Sequence, residues 1–482
     1  MTDVVHEQLL IGGKWVDAAD EFPVFNPARP DEIAGYAPLG TAAHAQAAVE
    51  AAREAQPDWA ATPIEERIAR LSEASERSYE GLPERAELLS RENGKVRWEA
   101  EADCGGFALF TDYCVEAGAA ALAAEVISDE TSRIEISRQP IGVVAAISSW
   151  NWPVGLMSAK FAPALLAGNT IVIKPPTACP LAVIDAIRQV AACFPPGVVN
   201  VVTGPASQVG TVLTTSPHVN KIGFTGGTKT GVSLLNSLPD VKRVTLELGG
   251  NDAAIVLDDV DLGEDYVRNL AVGAFTTSGQ VCFGIKRVYV HRSLFSDFCD
   301  FLTTVVAEHV VGEGLREAVT LGPLINAEAV QFVRGLVEDA RNAGAQIREV
   351  GHIDDEAVFG AGHFLRPQIV IGPNQRSSIV QEEQFGPALP VLPFDSDDEA
   401  VTLANDTRYG LCSSVWSSDV DRAFELSRRL DAGQVFINGH SFFSVDLRAP
   451  FGGYKQSGIG REMGILGLQE YSEPHATIHH SL

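Results

Sequence analysis

Three polar residues stand where their types could do covalent chemistry. Cys282 lies in SGQVCFG, 278–284, after a small Ser278-Gly279 pair and before Gly284. A thiolate is a strong nucleophile, but free cysteine is also among the most buried residue types, so a core thiol competes with that reading. Glu247 lies between two leucines in TLELGGN, 245–251. An acid in an apolar run is costly to bury unless it is paired or used, and burial raises its pKa towards that of a general base. The alternative is an edge strand with Glu247 facing water. Asn151 stands between two tryptophans in SSWNWPVG, 148–155. Its amide could donate to a developing oxyanion or simply shape the turn before Pro153.

Two further stretches suit an anionic ligand. FTGGTKTG, 224–231, follows an apolar run and precedes helical spacing, so Gly226 and Gly227 would let backbone N–H groups approach a phosphate. It is neither GxGxxG nor a Walker A sequence. TIVIKPPT, 170–177, places Lys174 at the end of a short buried strand. There it could reach ribose hydroxyls or phosphate, or lie on the surface.

The elements that must hold these residues alternate. IGVVAAISS, TIVIKPP, GVVNVVTG and KIGFTGG read as short buried strands, with helical spacing in MSAKFAPALLAGN and PLAVIDAIRQVAACF between them. That rhythm predicts an α/β fold with a parallel, doubly wound sheet, which binds ligands at the carboxyl ends of its strands. A second rhythm begins near Glu247, with DAAIVLDD, KRVYVHRS and VFINGH as strands of a second α/β lobe. TSRIEISRQP and EPHATIHHS read as lone strands that pair with each other or with another subunit.

A chain of 482 residues suits two or three domains. Lys and Arg total 36 against 63 Asp and Glu, a net charge of -27, which opposes binding to nucleic acid or anionic membranes. The N-terminus lacks a signal-peptide pattern and no window approaches about 18 unbroken apolar residues, so neither secretion nor a membrane span is expected. Seven scattered cysteines without CxxC spacing argue against a disulfide framework or a metal site and fit a reducing cytoplasm.

Together the motifs resemble the aldehyde dehydrogenase superfamily over nearly the whole chain. IGGKW, WN, LLAGNTIVIKP, FTGGT, ELGGN, GQVC, EEQFGP and PFGGYKQSG occur in that family's order and approximate spacing. The resemblance implies a Rossmann-like cofactor domain (1–117 and 141–246), an α/β catalytic domain (247–455) and oligomerisation strands (118–140 and 456–482). It implies a homodimer or homotetramer, an aldehyde substrate, and NAD as cofactor with NADP tolerated. Cys282 matches the nucleophile that forms a thiohemiacetal and then, after hydride transfer to the nicotinamide, a thioester. Asn151, with the Cys282 backbone N–H, matches the oxyanion donors, and Glu247 the base that activates water for hydrolysis.

The same resemblance assigns cofactor contacts to Ser148, Ser149 and Trp150, and to Lys174 and Glu383 at the two riboses. Phe385 falls beside the nicotinamide ribose, Gly204 and Pro205 at the adenine pocket, Gly226 and Gly227 at the pyrophosphate turn, and Leu248 and Gly249 at the nicotinamide end. Thr177, Gln331 and Arg334 fall near further contact positions. Four departures stand out: Gly227 replaces the usual Ser, Ser149 the usual Pro, Thr177 a common Glu, and Phe283 a smaller residue. Threonine at 177 would not repel a 2′-phosphate. Phe283 with Trp152, Val281, Phe442, Phe443 and Phe451 predicts a pocket for an apolar or aromatic aldehyde, with Ala159 leaving room. The alternatives are a CoA-acylating semialdehyde dehydrogenase, against which Glu247 argues, a catalytically silent crystallin-like binder, and a Cys-His thiol hydrolase, which leaves the cofactor motifs unexplained.

Overall fold

The computed structural model describes residues 4–480, and expectations for 1–3 and 481–482 lie outside them. Its first large sheet has five central parallel strands, ordered Arg243–Glu247, Lys221–Thr225, Val143–Ile147, Thr170–Lys174 and Val199–Val201. Side chains alternate across it, as a period of two dictates. Ile171 and Ile173 join Phe161 and Ile184 in one apolar cluster, whereas Val172 joins Val49 and Leu213 in another on the opposite face. Both faces being covered explains why these strands read as nearly unbroken apolar runs.

A second sheet of seven strands centres on Asp252–Val256, between Ile285–His291 and Cys412–Trp416. All its pairings are parallel except that of the edge strand Gln346–Glu349. Helices Glu264–Phe275 and Phe295–Ala307 pack on one face, and Ala327–Asn342 and Asp397–Asn405 on the other. The chain crosses between the sheets in residues 248–251, so the carboxyl end of one sheet is joined directly to the start of the next.

Ser132–Pro140 and Ser472–His480 pair antiparallel, from Ser472 opposite Pro140 to His480 opposite Ser132, and Glu125–Ser128 flanks them. The rest of the C-terminal segment lies elsewhere. Gly458–Ile459 pairs antiparallel with Leu246 and Glu247, extending the first sheet, and Gly464–Gln469 is helical. Helix Arg97–Ala121 likewise runs into the stretch from 118 expected to be strand. No described helix is long and apolar enough to cross a membrane.

Candidate active site

Cys282 is presented by a loop that enters the left-handed region. Thr277 and Ser278 have φ of 52° and 54°, followed by Gly279 at 77°. Such angles are unusual for non-glycine residues, and most of all for β-branched threonine, so surrounding contacts must hold them. The Thr277 N–H donates to Glu99 Oε1 at 2.6 Å, Ser278 Oγ donates to the Gly322 carbonyl at 2.7 Å, and Lys286 Nζ donates to the Gly279 carbonyl at 2.5 Å. A Cβ on Gly279 would stand 2.4 Å from the Gly386 carbonyl oxygen. The small residues before Cys282 therefore build a pinned, tightly packed turn rather than a flexible one.

Two cavities meet at Cys282, and Asn151 and Thr225 line both with it. The larger, about 600 Å³, is walled by Trp152, Val281, Phe283, Phe442, Phe443 and Phe451, and Glu247 opens onto it. All six of these residues were expected at the pocket; Ala159 is buried within helix Pro153–Leu166 and does not line it. Trp152 stacks on Phe442 at 4.7 Å between ring centroids, and Phe283 meets Phe451 edge-on at 5.7 Å. The smaller, about 160 Å³, is lined by Ser149, Trp150, Gly226, Gly227, Leu248, Gly249, Glu383 and Phe385.

Asn151 sits on the turn after strand Val143–Ile147, only 2% exposed, and its Nδ2 donates to the Gln280 carbonyl at 3.0 Å. An amide nitrogen carries two N–H groups, so this bond aims the side chain while leaving a second donor. Glu247 ends the strand Arg243–Glu247 and is 3% exposed, with neither carboxylate oxygen hydrogen-bonded. Burial, and then the nearby Glu462 carboxylate, push its pKa well above the usual range. Glu462 is held by the fully buried Lys160, whose Nζ donates to it at 2.6 Å and to Thr225 Oγ1 at 2.5 Å.

Burial pushes the Cys282 thiol up to about 12, with the Glu383, Asp252 and Glu247 carboxylates adding to the effect. The neutral thiol is thus the resting form, and any use of this sulfur as a nucleophile requires a base to take its proton. Glu383 is raised to about 7 by burial, opposed by Lys286, and its Oε1 accepts from the Gly250 N–H at 3.0 Å. A Cβ at Gly249 would stand 2.4 Å from Glu383 Oε2, so a side chain there would push the carboxylate aside.

Other expected cofactor residues lie outside the small cavity. Lys174 is buried at its strand end and Ser148 is buried beside the Asn151 turn. Gly204 and Pro205 follow strand Val199–Val201. Thr177 is exposed, and Gln331 and Arg334 lie on the exposed face of helix Ala327–Asn342. Sequence reasoning missed Lys160, Lys286 and Glu462. Lys160 is the one charge in the apolar helix sequence PVGLMSAKFAPALL, a signal that could have marked it.

The chain matches the family described as "Aldehyde dehydrogenase family" over residues 15–477. Glutarate-semialdehyde dehydrogenase of Pseudomonas putida is 36% identical, covering 97% of this chain and 96% of its own. Betaine aldehyde dehydrogenase of Bacillus subtilis is 38% identical, with 97% and 96% covered. The crystal structure of betaine aldehyde dehydrogenase from Staphylococcus aureus in complex with NAD+ superposes with a TM-score of 0.92 at 31% identity, covering 98% of this chain and 94% of that one. The fold and the two-chambered site thus define an oxidoreductase of the doubly wound α/β type. The chain belongs to the aldehyde dehydrogenase family, and its general reaction is the oxidation of aldehydes.

A base acts only when deprotonated, so with Glu247 in the general-base role that the resemblance implies, its raised pKa is expected to make turnover climb with pH above the usual carboxylate range. Glu247→Gln is expected to lower kcat by about 100-fold or more and abolish this acid limb. Glu462→Gln removes a neighbouring negative charge and is expected to move the limb to lower pH. Steady-state kcat between pH 5 and 9 for the three proteins is the measurement, and an unchanged limb in Glu247→Gln would contradict the role.

Proposed function

We propose that the chain oxidises an apolar or aromatic aldehyde to the carboxylic acid with NAD(P)+ by a hydrolytic, covalent route. The carrying observation is that Cys282, Asn151 and Thr225 line both cavities, so one sulfur faces an apolar chamber on one side and a cradle on the other. That cradle suits the nicotinamide and pyrophosphate end of a dinucleotide. Gly226, Gly227 and Gly249 keep its wall thin, Gly227 directly before helix Thr228–Ser237, and Glu383 offers a carboxylate to a ribose. When bound there, the cofactor supplies the two-electron acceptor. Lys174, Gly204 and Pro205 continue the same sheet edge towards the adenine end.

Glu247, which opens onto the same cavity, takes the Cys282 thiol proton and passes it to solvent; Sγ then attacks the aldehyde carbon, the carbonyl π pair moves to oxygen, and the second Asn151 N–H, with the Cys282 backbone N–H, stabilises that oxyanion. After oxidation the acyl group remains on Cys282 as a thioester. Glu247, whose oxygens have no protein donor, takes a proton from water that attacks this thioester. Hydrolysis by Glu247 separates this reading from the CoA-acylating one. The seven free cysteines suit a reducing cytoplasm.

The antiparallel sheet formed by 125–128, 132–140 and 472–480 exposes Val126, Ile127 and Ile478, and in this reading it joins copies into a dimer or tetramer. Light scattering is expected to return a multiple of the 51.4 kDa chain, and a monomer mass would count against it.

Absorbance at 340 nm is expected to rise when protein, aldehyde and NAD+ are mixed without CoA, and to stay flat with Cys282→Ala. A rate that needs CoA, or one that survives Cys282→Ala, would overturn the mechanism.

Gly227 has ordinary backbone angles, and a Cβ there would meet nothing within 4 Å. Gly227→Ser is therefore expected to fold normally and lower the KM for NAD+ a few-fold, about the worth of one hydrogen bond to a charged group. An unchanged KM would place the pyrophosphate elsewhere.

A further inference from the structure

One wall of the large cavity is acidic. Helix Arg97–Ala121 contributes Asp103, Asp112 and Glu116, and the loop after Phe443 contributes Asp446. Asp112 and Glu116 are four residues apart, so they share one helix face, and both are exposed at the cavity. Asp103 lies deeper. It is 0% exposed; its Oδ1 accepts from the Gly155 N–H at 2.9 Å, while Oδ2 has no hydrogen-bond partner. The nearest ammonium to it, Lys95 Nζ, stands 3.9 Å away and also faces the Glu99 carboxylate, so it cannot neutralise both.

One basic side chain, Arg448, lines the same cavity, and it is already engaged. Asp446 accepts from its guanidinium at 2.5, 2.9 and 3.1 Å, and Glu116 adds to the negative field around it. A carboxylate entering this chamber would have to compete with both. A cation would meet the Asp112–Glu116 face and aromatic walls whose ring faces attract positive charge, with the Asp103 carboxylate, shared with Lys95, buried behind them. The chain's net charge of -27 steers positively charged ligands towards it and repels anions.

We propose that the large cavity selects an aldehyde with an apolar or aromatic body and a positively charged group at the end remote from the carbonyl, and discriminates against aldehydes ending in a carboxylate. This rests on the reading of the cavity as the aldehyde site of Cys282. It also separates this chain from its glutarate-semialdehyde relative, whose named substrate ends in an acid group.

The test compares three benzaldehydes with para substituents of similar size: trimethylammoniomethyl, neopentyl and carboxymethyl. With the full-length enzyme and NAD+, kcat/KM is expected to fall in that order. The span from cation to anion should be about tenfold or more, carried mainly by KM and compressed by raised salt. Glu116→Gln and Asp446→Asn, both at exposed positions, should narrow the span while thermal unfolding midpoints stay put. A carboxymethyl substrate used as well as the ammonium one, or a span unchanged in both variants, would overturn the proposal. A second measurement does not depend on turnover: calorimetric binding of benzyltrimethylammonium and of phenylacetate to Cys282→Ala. Tighter binding of the cation supports the charge preference even if no aldehyde is oxidised, a result that would strike the proposed chemistry instead. Equal or reversed binding overturns the charge preference alone.

Discussion

The hydrogen bond from Asn151 Nδ2 to the Gln280 carbonyl ties the first sheet to the loop that carries Cys282. Asn151 belongs to the strand-end turn of the first sheet, and Gln280 to the loop that precedes Cys282. The bond is worth little in net stability, on the order of 1 kcal/mol. Its value is positional, because it fixes where an amide donor stands relative to a sulfur 131 residues further along the chain. The left-handed run at Thr277 and Ser278 serves the same end from the other side, since its strain is held by Glu99 and Lys286 rather than relaxed.

Around that junction the protein buries more ionisable groups than a stability argument alone would favour. Glu247, Glu383, Asp252 and Glu462 face Lys160 and Lys286 within or beside the site. Desolvating such groups is expensive, and their mutual attraction offsets it only in part. The uncompensated remainder appears as shifted proton affinities, which acid-base chemistry near neutral pH requires. Glu247 is the clearest case: its neighbours supply charge but no hydrogen bond to its oxygens.

Much of this was legible in the sequence, for identifiable reasons. Strands buried on both faces write themselves as apolar runs, so the sheet around Thr170–Lys174 and Lys221–Thr225 could be read from VVAAI, TIVIK and KIGFT. Cys282 was found through the order of distant motifs rather than through its own surroundings. Glu247 was ambiguous locally, because TLELGG suits an edge strand equally well. Gly458–Ile459 covers that edge, and nothing near Glu247 announces a partner more than 200 residues downstream. The buried lysines were illegible for a similar reason: a lone Lys160 on a helix takes its meaning from Thr225 and Glu462, both remote in sequence. Gln331 and Arg334, placed by the family resemblance alone, lie on the exposed face of helix Ala327–Asn342, where no local sequence signal marks them.

The cysteines carry a last consequence. All seven are free, and Cys282 is the only one that is not buried. The burial that covers the other six leaves Cys282 the one partly exposed thiol, and it is the thiol that lines both cavities. Damage to this protein therefore begins with silence rather than collapse. An oxidised or alkylated molecule keeps its two sheets and its core, occupies its place among intact copies, and has lost only its chemistry.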